Sequence, residues 1–151
     1  MESYDVAVIG SGPGGYAAAI RSAQRGMKTV VIEKESVGGV CLNWGCIPTK
    51  AIIHSVDTLA GIRNAAYLGI GLENVRVDMK TIIARSRNVA GRLSKGVAYL
   101  LKKHDVSFMK GVATLQENHT LQVRKKNEGR SVSKRKILSL PPGRARRNFP
   151  A

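Results

Sequence analysis

The chain has 151 residues, enough for one domain with a real core, and its 43% hydrophobic and 23% charged residues are ordinary for a folded protein. Two cysteines exclude a disulfide-stapled secreted scaffold, and the first apolar run, Val6–Ile9, is too short for a signal core or a membrane span. The net charge of +15 is uneven: residues 1–120 carry 15 Lys/Arg against 9 Asp/Glu, and residues 121–151 carry 10 against 1, which marks a basic tail on a less charged body.

Tyr4–Ile9 (YDVAVI) is rich in Val and Ile and reads as a buried parallel strand. Gly10-Ser11-Gly12-Pro13-Gly14-Gly15 follows, then a helix over Tyr16–Gln24 ended by Gly26. Thr29–Ile32 reads as a second strand and ends in Glu33. Strand, glycine turn, helix, strand and acid within about 30 residues is the pattern of a dinucleotide site. Gly10 permits the tight turn, Gly12 lets backbone approach a pyrophosphate at the helix N-terminus, and Gly15 lets the helix pack closely. Glu33 stands where an acid accepts hydrogen bonds from an unphosphorylated ribose. The alternative is a glycine-rich structural turn.

Gly38–Lys50 (GGVCLNWGCIPTK) holds both cysteines, Cys41 and Cys46. Their spacing along a regular helix is about 7.5 Å, beyond the roughly 7 Å reach of a disulfide. A bonded pair therefore requires an irregular turn over Cys41–Cys46, with Gly45 supplying freedom and Pro48 in the first turn of a helix from about Ile47 to Asn64. A thiolate near that helix N-terminus is expected to have a lowered pKa, with the charge of Lys50 helping. The alternatives are two structural thiols or half of a metal site. No metal site is assigned, because His54, His104 and His119 are scattered.

These motifs resemble the N-terminus of the pyridine nucleotide–disulfide oxidoreductases. The wording Cys-Leu-Asn-x-Gly-Cys-Ile-Pro is similar to the dihydrolipoamide dehydrogenase branch, more than to the glutathione and mercuric reductases with the same cysteine spacing. The resemblance covers residues 3–115 well and the remainder loosely. It implies an α/β, Rossmann-type FAD-binding fold, here incomplete. Gly10, Gly12, Gly15, Glu33 and Lys34 are implied to hold FAD, with Gly39 and Lys50 beside the flavin and Gly111 and Ala113 near its adenine. It implies that Cys41 and Cys46 form the redox disulfide, the first attacking the substrate's mixed disulfide and the second contacting the flavin. Val40 departs from the family's usual Thr. The implied reaction oxidises a dihydrolipoyl dithiol through the disulfide and FAD to NAD. The implied partners are lipoyl-bearing proteins of 2-oxo acid dehydrogenase complexes, in a homodimer. The family's NAD domain and its His-Glu pair have no counterpart in these residues. The expectation is therefore an N-terminal portion inactive by itself, the alternatives being a flavin-binding module or a small thiol-redox protein. A cytoplasmic location is expected, with no membrane and no specific nucleic-acid partner.

Asp78–Lys103 has apolar residues at helical spacing, from Met79, Ile82 and Ile83 to Leu100 and Leu101. Asp78 reads as its N-cap, and Arg85, Arg87, Arg92 and Lys95 as a solvated face. Val106–Met109 reads as a third strand and Thr120–Val123 as the start of a β-ribbon. Residues 1–115 are thus expected to form the FAD-binding portion and 116–151 a divergent basic tail. There Ser139-Leu140-Pro141-Pro142-Gly143 replaces the family's apolar strand ending in Ala-Thr-Gly. Two adjacent prolines oppose a central strand. A coding stretch for Leu-Ala-Thr-Gly read one base late gives Leu-Pro-Pro-Gly, so residues 130–145 are expected to be out of frame. Resequencing the coding DNA tests this.

Overall fold

A computed structural model describes residues 2–116, 120–124 and 129–139, with side chains up to Arg124. The chain runs β1 (Glu2–Ile9), α1 (Pro13–Gln24), β2 (Thr29–Glu33), α2 (Gly39–Asn43) and α3 (Cys46–Arg63). It continues through a 3₁₀ turn (Ala65–Leu68), α4 (Met79–Lys103), β3 (Ser107–Lys110), β4 (Val112–Leu115), β5 (Leu121–Arg124) and β6 (Gly129–Ser139). Among the described residues one six-stranded sheet has the order β3-β2-β1-β6-β5-β4.

The expected Val/Ile runs form the parallel centre. β1 pairs with β2 from Val6 opposite Thr29 to Ile9 opposite Ile32, and β2 pairs with β3. All five residues of β2 are buried, as a strand covered on both faces requires. Alternation divides the core into two layers. Val6, Val8 and Val31 face Ala19, Leu42, Val97, Leu101 and Val106, while Ala7, Val30 and Ile32 pack with Tyr4, Leu121 and Val123.

α1 begins at Pro13, earlier than Tyr16, because proline fits a first helical turn where its missing N–H is not needed. Asp78 caps α4 as expected, its carboxylate accepting from Lys80 N at 2.9 Å and Thr81 N at 3.3 Å. The apolar residues of α4 divide in a way their spacing does not reveal. Ala90, Val97 and Leu101 are buried, whereas Met79, Ile83, Leu93 and Leu100 are at least 40% exposed.

The β-ribbon forms as β4, β5 and the start of β6, all antiparallel. β6 then passes from β5 to β1, pairing in parallel from Glu2 opposite Val132 to Ile9 opposite Ser139. The charge run Ser131–Lys136 thus lies within a strand beside β1. Pro141 and Pro142 and the rest of the supposed out-of-frame stretch, residues 140–145, lie outside the described residues, as does His119.

Candidate functional site

The carboxyl ends of β1, β2 and β3 converge on Gly10, Glu33 and Gly111. In open parallel sheets that edge carries the ligand crevice. Gly10, at φ +94°, turns the chain out of β1, and its N–H donates to Ile32 O at 2.8 Å. A Cβ on Gly15 would stand 2.0 Å from Gly10 O, so only glycine lets α1 sit so close to the end of β1. Gly12 differs: a Cβ there would meet nothing within 4 Å. It stands at the α1 N-terminus, which has neither a side-chain cap nor an acidic residue in its first turn. Free N–H groups, the positive end of the helix dipole and open space suit an anion such as a pyrophosphate.

Glu33 is buried, and its carboxylate is already engaged. Oε2 accepts from Ser11 N at 2.8 Å and Ser11 Oγ at 2.9 Å, and Oε1 accepts from Glu35 N at 2.9 Å. A carboxylate offers about four lone-pair sites, so it has room for one further donor. Ser11, absent from the sequence-derived site, is fully buried and joins the parts. Its Oγ donates to Glu33 and accepts from Gly38 N at 3.2 Å. A serine between two glycines of a phosphate loop is the only sequence signal for that role. Gly111 N donates to the backbone O of Glu33 at 2.9 Å; Gly111 is half-buried, and the half-buried Ala113 packs on the layer of Tyr4, Val30 and Ile32. Lys34 is exposed at the end of β2.

The thiol segment lies against the glycine loop. Gly39, at φ +63°, comes so close that a Cβ there would stand 3.0 Å from Gly12 Cα. The expected irregular turn is shorter than Cys41–Cys46. α2 carries Cys41 through Asn43, the helix breaks at Trp44 and Gly45, and Cys46 opens α3. A side chain on Gly45 would meet Cys41 Cα and Val40 O, both at 3.2 Å, so glycine permits the two helices to approach. Both cysteines are free thiols, Cys41 half-buried and Cys46 exposed, with their side chains hydrogen-bonded to each other. The expected lowered thiol pKa does not hold for Cys41. Its hydrogen bond to Cys46, and then burial, push it up, while the charge of the exposed Lys50 opposes them weakly. The effect of the neighbouring thiol outweighs that of the lysine because the thiol is in contact.

Two clefts of about 450 and 500 Å³ flank the edge strand β3, lined by residues such as Leu101, Ser107 and Phe108 and by Tyr4, Met109 and Lys110. Neither reaches the glycine loop or the thiols. No group of His, Cys, Asp and Glu among the described residues can hold a metal ion. No helix among them is long and apolar enough to cross a membrane.

Residues 4–140 match the profile of the family described as pyridine nucleotide-disulphide oxidoreductase. The chain belongs to this family. Dihydrolipoyl dehydrogenase of Rhizobium etli is 47% identical over 128 residues, 84% of this chain and 27% of that protein. That of Chlorobaculum tepidum is 54% identical over 112 residues, 74% of this chain and 24% of its own length. That of Zymomonas mobilis is 39% identical over 149 residues, 99% of this chain and 32% of the relative. The chain thus spans about a quarter to a third of the length of these curated relatives. The solved Cu(II) complex of the HOCl-induced flavoprotein disulfide reductase RclA from Escherichia coli superposes with a TM-score of 0.77 at 25% identity, over 93% of this chain and 29% of that one.

Proposed function

We propose that this member of the pyridine nucleotide-disulphide oxidoreductases holds FAD on its glycine loop and exchanges electrons with a dihydrolipoyl dithiol through Cys41 and Cys46. The observation that carries this reading is the contact between the two motifs, with Gly39 packed on Gly12 two residues before Cys41. The open N-terminus of α1 fits a pyrophosphate, and the free lone pair of Glu33 fits a ribose hydroxyl. Bound FAD would supply a two-electron acceptor next to the thiol pair.

The thiols' own step balances without further groups. A substrate thiolate attacks the Cys41–Cys46 disulfide, one cysteine leaves as a thiol, and the second substrate sulfur displaces the other. The products are a lipoyl disulfide and the two protein thiols, with two electrons and two protons passed to the protein. The neighbouring Cys46 and then burial raise the pKa of Cys41, so in the reduced pair this thiol stays protonated to higher pH than a free one. Lipoyl-bearing proteins are the proposed partners. We assign no general base and no nicotinamide site among these residues, and expect no NAD-linked turnover from the 151-residue chain alone.

Titration of the purified chain with FAD, followed by flavin fluorescence and visible absorption, tests the proposal. The expected result is quenching on binding, and a shift of the flavin band when a dithiol is added. A chain that stays colourless and leaves FAD fluorescence unquenched rules out the FAD reading.

A further inference from the structure

α2 has five residues, far fewer than the 12–15 or so that an isolated helix needs to be even marginally stable. It carries Cys41, and only Trp44 and Gly45 join it to the helix that begins with Cys46. Its position must therefore be held by other elements, and the hydrogen bonds show which. The Asn43 side-chain amide donates to Val37 O and Gly39 O, both at 2.9 Å, folding α2 onto the loop before it. Val37 O also accepts from Ser94 Oγ at 2.8 Å, and Asn43 O accepts from Arg87 Nη1 at 3.1 Å. Ser94 and Arg87 come from α4, 44 to 57 residues away in sequence.

Ser94 is half-buried and Arg87 is exposed, yet both stand in line with buried residues of the helix. Arg87, Ala90, Ser94, Val97 and Leu101 follow one another at intervals of three and four, one row along the helix. Ala90, Val97 and Leu101 are buried, and the latter two pack on Val6, Val8 and Val31 of the sheet. The apolar members of the row fix α4, and its polar members reach the backbone of the thiol segment. The same helix reaches α3, where Arg85 Nη1 donates to Ala51 O at 2.9 Å. Both thiol-bearing helices are thus referenced to α4.

We infer that Asn43, Ser94 and Arg87 form a positioning clamp that sets the thiol–disulfide equilibrium of Cys41 and Cys46. The inference rests on the reading of that pair as redox-active. Bond formation needs the two sulfurs within a narrow range of distance and orientation, so the effective concentration of one thiol at the other depends on how firmly α2 is held. Loosening α2 from α4 lowers that concentration and makes the disulfide easier to reduce.

The test is equilibration of the purified chain with defined ratios of glutathione and glutathione disulfide, with the products counted by alkylation and mass spectrometry. Glutathione disulfide takes two electrons and two protons from the protein dithiol and becomes two glutathiones. Arg87→Met and Ser94→Ala are each expected to lower the equilibrium constant about three- to tenfold, a tenfold change being about 30 mV. Arg92→Met, on the same helix but bonded to nothing in the thiol segment, is expected to stay within twofold of the parent. Clamp variants within twofold of the parent, or an equal fall in all three variants, overturn the inference. Should Ser94→Ala fail to fold, the exposed Arg87 decides alone. If the parent chain forms no Cys41–Cys46 disulfide in any ratio, the redox reading itself fails and the clamp falls with it. A parent disulfide with unchanged variants overturns the clamp only.

Discussion

Gly12 and Gly15 stand three residues apart and answer to different demands. A Cβ at Gly15 collides with Gly10 O, and backbone cannot move aside as a side chain can. Gly15→Ala is therefore expected to lower stability by about 3 kcal/mol, at the upper end for overpacking, as read from denaturant unfolding. Gly12 has φ −62° and open space, so Gly12→Ala is expected to leave unfolding within about 0.5 kcal/mol of the parent while FAD binding is lost. Equal losses of stability in the two variants would contradict this division. The cysteines give a second expectation. Contact with Cys46 is the largest cause of the raised Cys41 pKa, so Cys46→Ala should move the pH midpoint of Cys41 alkylation downward. A midpoint that stays or rises argues against that cause. For Cys41 the sign of the linkage is fixed: a raised pKa in the folded state stabilises the fold below the unfolded thiol's pKa, and that contribution is lost as pH rises through the folded value. The turn at Gly10 and the close packing at Gly15 were legible in sequence because they depend on backbone within a few residues. The raised pKa was not, because it depends on a contact across a helix break.

At the scale of elements, α4 shows how far periodicity carries. Its extent and its Asp78 cap follow from local chemistry, and the structure has both. The hydrogen bonds from Thr81 to Asp78, chiefly through its side chain, hold the carboxyl below the usual range. The cap's contribution is thus present above the unfolded carboxyl pKa and lost as pH falls through the depressed folded value. Asp78→Ala is expected to be less stable than the parent at pH 7, with the gap closing at acid pH in paired melting curves. A gap that persists below that range would mean the charge is not what caps the helix. Which apolar residues of α4 are buried was not legible. Spacing defines a stripe, but only the neighbours, here α1, α2, α3 and the sheet, decide how much of it is covered. The bonds of Arg87 and Ser94 to the thiol segment were not legible for the same reason: Arg87 is exposed, as its place on a solvated face leads one to expect, and it meets Asn43 O only once that segment is folded against the helix.

Across the whole molecule, two surface properties oppose each other. The net charge of +15 favours dispersal and nonspecific attraction to polyanions. Large apolar side chains are exposed along α3 and the segment after it: Ile53, Val56, Tyr67, Leu68, Ile70 and Leu72 are all at least half exposed. Such a surface favours association once repulsion is screened. Raising salt from about 0.05 to 0.5 M, where screening lengths fall from above 10 Å toward 3 Å, is expected to increase the mass read by light scattering and to abolish retention on heparin. A particle of unchanged mass over that range would show that the apolar surface does not associate.

The chain's own order of residues determined the glycine loop, the acid at the end of the second strand, the paired cysteines and the long capped helix. Each is set by interactions among residues close in sequence, where φ, capping and periodicity act. The tertiary structure decided what those motifs become together. It seats Gly39 against Gly12, ties Ser11 to both Glu33 and Gly38, inserts β6 beside β1, and makes α4 the support for both thiol-bearing helices. Those relations join residues up to 130 positions apart, and no local rule specifies them, because their energy exists only once the sheet and helices are packed.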